Sequence, residues 1–185
     1  MRITKYLRPD QDAITHFLAV LGSGSVMLST SKRARPVFFI TAHGFIKEFI
    51  EEGFFQKEEL LIKALEEGGF PSDDGPIAAI KSDQKKSHEA AASMLGAANH
   101  WLSGDDVARS DVGWAASEYT DAVRRHLDRL KNLIFPLIEQ TISVEEEHQV
   151  SEEMSNITFE GGLKEGPEKY IKLIEKLEEE LGDWK

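Results

Sequence analysis

Residues Phe54 to Pro76 read FFQKEELLIKALEEGGFPSDDGP, and this stretch decides the fold. Leu60, Leu61 and Leu65 recur at helical spacing, so the segment up to Glu67 predicts the back half of an apolar helix. Gly68-Gly69 supplies a stop and Pro71 prevents continuation. Ser72-Asp73-Asp74-Gly75 makes a short polar turn, and Pro76 suits the first turn of a new helix, where its missing N–H is harmless. The stretch is thus a helix, a tight exit and a second helix.

The same pattern extends in both directions. Upstream, Pro36 opens the helix, and Phe38, Phe39, Phe45, Ile46, Phe49, Ile50 and Phe54 make it heavily apolar. Before that, residues 1–9 predict an irregular lead-in ended by Pro9, with Asp10 and Asp12 as capping carboxylates for a first helix carrying Ile14, Phe17, Leu18 and Leu21. Gly22-Ser23-Gly24-Ser25 weakens that helix, but Val26-Met27-Leu28 resumes its apolar side, so a kink or a close helix contact is expected. Lys32-Arg33-Ala34-Arg35 reads as a solvated connection. Downstream, a helix from Pro76 to Leu102 is broken at Ser103-Gly104-Asp105-Asp106. A second turn, Arg109 to Gly113, precedes a helix carrying Tyr119, Val123, His126, Leu127, Leu130, Leu133, Ile134, Leu137 and Ile138, kinked by Pro136. Ile142 to Met154 predicts an acidic helix and residues 155–166 a linker. Pro167 starts a last helix burying Tyr170, Ile171, Ile174, Leu177 and Leu181.

The 185 residues carry a formal net charge of −11 and no cysteine. That charge argues against nucleic acid, which needs a basic face. Without cysteine there is no disulfide, thiolate metal site or thiol nucleophile, as suits a reducing cytoplasm. No apolar stretch approaches a membrane span, and MRITKYLRPDQD lacks the pattern of a signal peptide, so a cytoplasmic location is expected. Trp101, Trp114 and Trp184 read as packing residues, His100 and His148 as surface residues. The architecture expected is all-α: an up-down-up-down four-helix bundle over residues 1–142, and an acidic segment, linker and extra helix over 143–185 that pack on it.

Lys57-Glu58-Glu59, Gly68-Gly69-Phe70-Pro71, Gly75-Pro76, and the ending Phe135-Pro136, Ile138-Glu139 and Glu168-Lys169-Tyr170 resemble the hemerythrin-like (HHE cation-binding) family. The resemblance implies two irons held between four helices by imidazoles and carboxylates. Carried over by position, His16 matches the first ligand. Phe54 stands where the second helix has its His, and Glu58 keeps the carboxylate. Ser82-Asp83-Gln84 stands where the third helix has Glu-His, so Gln84 replaces an imidazole. His126 is kept, but Leu130 replaces its carboxylate partner. Phenyl and isobutyl groups coordinate nothing, so the resemblance implies a family member without the usual diiron and dioxygen chemistry.

Two readings of the remainder stay open. In one, His126 and His16 hydrogen-bond Glu58, Gln84 completes a polar cluster, and no cofactor is held. The protein is then a helical binding, sensing or scaffold module, with room for a protein partner, a homodimer or a small apolar ligand. In the other, His16, Glu58, His88 and His126 supply one ligand from each helix to a single Fe, Zn or Mn ion, with His43 in reserve about three turns away, giving a metal sensor or storage protein. Catalysis has no independent support in the sequence.

Overall fold

The computed structural model describes residues 2–160 and 168–185. The expected all-α bundle is present. Its first rod is α1 (Arg2–Met27). The second is a continuous helix made of α2 (Pro36–Phe45), a π-helical stretch (Ile46–Phe54) and α3 (Phe55–Glu67). The third is α4 (Gly75–Leu102). The fourth joins α5 (Ala108–Arg129), a π-helical stretch (Leu130–Ile134) and α6 (Phe135–Thr141). Helix α5 packs on α1 and α4, and α4 on α2. Helix α7 (Val144–Glu160) lies on α1 and α3, and α8 (Glu168–Trp184) on α1 and α2. No helix among the described residues is long and apolar enough to cross a membrane.

The exit after α3 forms as its sequence dictates. Gly69 takes φ +97°, and the Phe70 amide reaches back 3.0 Å to the Leu65 carbonyl, closing the left-handed cap that glycine favours. The Asp74 carboxylate then accepts the Gly75 amide at 2.8 Å and caps α4. Gly24 meets its expectation as a close contact: a Cβ there would stand 2.7 Å from the Phe38 ring, so α1 crosses the second rod at glycine.

Several local expectations fail for physical reasons. Residues 2–9 are helical and Pro9 sits inside α1. Burying Ile3 and Leu7 completely outweighs the roughly 3 kcal/mol an interior proline costs. Asp10 and Asp12 therefore cap nothing. Arg109 to Gly113 is the first turn of α5 rather than a loop. Arg109 folds back to donate its guanidinium N–H groups to the carbonyls of Leu28 and Ser31, and lies over the Trp101 ring. Helix α7 continues to Glu160, through half of the expected linker; its remainder falls outside the described residues. Trp114 is 78% exposed and Ile171 faces out, so neither is a packing residue. Leu133 is exposed too, because the π-helical stretch at Leu130–Ile134 widens the turn and rotates it off the apolar face.

The core is a continuous apolar cluster running along the bundle. In its lower half Phe17 stacks on Phe45 at 4.3 Å, Phe45 on Phe49 at 5.0 Å, and Phe49 packs on Tyr170 at 5.1 Å. The first π-helical stretch serves that column: its i to i+5 turns keep Phe49, Ile50 and Phe54 all buried.

Candidate functional site

Three of the interior polar residues singled out from the sequence, Glu58, Gln84 and His126, meet at the centre of the bundle. Glu58 comes from the first turns of α3 and His126 from the end of α5, and both are buried. The His126 Nε2 lies 2.6 Å from Glu58 Oε1. The other Glu58 oxygen accepts Gln84 Nε2 at 2.7 Å, from α4. On the far side of the ring, His126 Nδ1 is 2.9 Å from Asp83 Oδ2. Arg129, one turn beyond His126, donates Nε to that same oxygen at 2.8 Å. Phe55 presents its ring edge-on to the imidazole, with centroids 5.7 Å apart. Three helices are thus tied through one imidazole.

Carboxylate oxygens flank both ring nitrogens, so both nitrogens must donate and the ring is an imidazolium. Burial works against that charge. The Glu58 charge and the hydrogen bonds to Asp83 and Glu58 outweigh it and push the His126 pKa up to about 9. Asp83 responds in the opposite sense. Burial alone would raise its pKa, but hydrogen bonds and charge from His126 and Arg129 hold it below the usual carboxylate value. A separate ion pair starts at the next residue in sequence: Lys57 Nζ reaches Asp10 Oδ2 at 2.6 Å, tying α3 to α1. Burial pushes the Asp10 pKa up, only partly offset by the lysine. Buried charges survive only when paired in this way.

The remaining candidates lie elsewhere. His16 faces out from α1, with its Nε2 3.1 Å from Glu178 of α8. His88 is 67% exposed at its side chain and pairs with Glu51 at 2.9 Å. The structure therefore brings together Glu58, Gln84 and His126, and adds neither His16 nor His88 to them. His43 is half-buried on α2, its pKa lowered mainly by burial. His100 and His148 are exposed, as expected.

A model of the hemerythrin HHE cation binding domain matches residues 2–138. The chain belongs to this family. No curated protein and no solved structure matches it.

Set beside a hemerythrin-type two-iron centre, the residues present do not fit. Phe54 and Leu130 are buried apolar groups. Both oxygens of Glu58 and both nitrogens of His126 are already engaged by protein partners. A metal at His126 would have to displace the proton that Glu58 and Asp83 hold on the imidazole. Among the described residues no three His, Asp or Glu side chains are grouped so that they could hold a metal ion.

Asp83 and Arg129 were not singled out from the sequence. Asp83 sits beside Gln84, which the resemblance sets in the place of an imidazole, and neighbours on a helix point about 100° apart. The available signal was the histidine itself. An imidazole buried against Glu58 has a second nitrogen that also needs a partner, and Asp83 on the facing helix is the acceptor nearest in sequence to Gln84.

Proposed function

We propose that this hemerythrin-family chain has exchanged the metal centre of its fold for a protein-only ionic cluster, and that it acts as a helical binding, sensing or scaffold module. The observation that carries the reading is the saturation of the centre: Glu58, His126, Asp83 and Gln84 satisfy one another while Phe54 and Leu130 fill the positions beside them. The cluster does mechanically what bridging metals do in such a bundle, holding α3, α4 and α5 in register through charge-assisted hydrogen bonds.

The test is thermal melting of the full chain and of His126→Ala with and without Fe(II), Zn(II) or Mn(II). A ligand that binds only the native state raises its melting temperature. The proposal expects the same melting temperature with each metal and with chelator, and a His126→Ala loss of stability that is independent of metal. Stoichiometric uptake that raises the melting temperature and disappears in His126→Ala would instead establish a mononuclear metal sensor or store.

A further inference from the structure

Helix α7 lies beyond the residues that the family model covers, and it packs on α1 with Ser151 and Met154 buried. Three serine or threonine side chains are buried within helices among the described residues: Ser87, Thr120 and Ser151. A hydroxyl so placed ordinarily donates to a carbonyl one turn back on its own helix. Ser87 does so to Gln84 at 2.9 Å, and Thr120 to Ser117 at 2.9 Å. Ser151 does not: it is 2% exposed, and its Oγ has no hydrogen-bond partner. It lines a cavity of about 250 Å³, open to solvent, together with Lys5 and Tyr6 of α1 and His148 and Glu152 of α7. An unpartnered buried hydroxyl is costly. The space beside this one is several times the roughly 30 Å³ that a single water takes up.

We infer that the α1–α7 cavity is a binding site for a small monocarboxylate. Two groups on its wall are without partners. Besides Ser151 Oγ, the Lys5 ammonium forms no ion pair among the described residues. Glu152, the acid in the lining, meets His148 instead, with Oε1 3.1 Å from Nε2. An ammonium can only donate, and the Ser151 hydroxyl adds a second donor. Two unmet donors, one of them cationic, call for an acceptor with two oxygens and one negative charge, which is a carboxylate. A dianion such as phosphate is disfavoured, because Glu145 and Glu146 are exposed on the same helix and the chain carries a net charge of −11. The Tyr6 ring gives the carbon chain of such a ligand an apolar wall. The site shares no residue with the central cluster, so each stands or falls separately.

The experiment titrates sodium butyrate into the isotope-labelled full chain at constant ionic strength and follows the backbone amides by NMR. The Lys5, Tyr6 and Ser151 amides should move saturably with a Kd of about 1 mM, the affinity open to a ligand of so few atoms. Lys5→Gln weakens binding about threefold to fivefold, since the lysine is exposed and its charge is screened. Lys5→Arg, which keeps the charge, stays within about twofold of the wild type. Ser151→Ala weakens binding about tenfold or more. The same variant leaves the melting temperature of the ligand-free chain unchanged or higher, because it removes an unpartnered hydroxyl, whereas loss of a structural serine would lower it. Saturating butyrate raises the melting temperature of the wild type and not that of Ser151→Ala. Shifts that fail to saturate by about 50 mM overturn the inference. So does equal binding of butyramide, which lacks the charge, or binding of butylamine in place of butyrate, which would assign the cavity to Glu152 and a cation. Wild-type affinity in Ser151→Ala overturns it as well.

Discussion

Raising the pH through the titration of His126 removes the charge that holds the central cluster together. The imidazole titrates near 9 in the folded chain against 6.5 for an unperturbed histidine. A group whose folded pKa is raised contributes stability that is complete below its unfolded value and lost as pH rises through the folded one. A gap of about 2.5 units at about 1.4 kcal/mol each is about 3 kcal/mol, lost progressively between about pH 6 and pH 10. Asp83, with its lowered pKa, contributes in the opposite region: its share is present above the ordinary carboxylate value and lost only in acid, so it adds no slope in the alkaline window. With a urea m-value of roughly 2 kcal/mol/M, the midpoint should fall by about 1–2 M across that window. The assay is a set of urea melts from pH 6 to 10.5 on the full chain and on His126→Gln, whose difference profile cancels the lysines and tyrosines that also titrate there. Parallel profiles for the two proteins would refute the reasoning, because the charge on His126 would then contribute nothing to folding.

Three further perturbations test other parts of the account. Glu58→Gln removes the largest charge favouring the imidazolium, so the His126 pKa read by NMR should fall well below 9 as burial takes over; an unchanged value would mean that Asp83 alone holds the proton. Asp10→Asn strands the Lys57 ammonium in the interior and should cost about 3–5 kcal/mol in denaturant melts, while Asp10→Asn with Lys57→Met recovers most of it; equal losses in both variants would show that packing, not the charge, matters at this pair. Gly24→Ala places a methyl 2.7 Å from the Phe38 ring, which is itself wedged against Phe39 and Trp184, and should lower stability by about 1–3 kcal/mol; no change in the melt would mean that α1 and α2 separate freely there.

The rods and their turns were readable because each is dictated locally. Gly68-Gly69 and Pro71 end one helix, Asp74 and Pro76 begin the next, and the phenylalanines face the core wherever the helical period places them. The centre was readable in part, since Glu58, Gln84 and His126, which the resemblance singled out, do meet there. What was not readable depends on phase and on tertiary burial. His88 follows Gln84 by four residues, which turns it about 40° further around the helix, and Gln84 already stands at the edge of the interior. That rotation carries His88 outside to Glu51. Pro9 marks a break only where nothing compensates; here Ile3 and Leu7 are packed into the core on its N-terminal side. Trp114 looked like a core residue by type alone, although its neighbours at one turn, Ser110 and Ser117, are polar and exposed.

The central claim is that the middle of this bundle is held by Glu58, His126 and Asp83 where its family holds a metal. Elemental analysis of the purified full chain, read together with its visible spectrum, addresses that claim most directly. The account predicts a colourless protein with far less than one metal per chain. Two irons per chain with an oxo-bridge absorption band would contradict it.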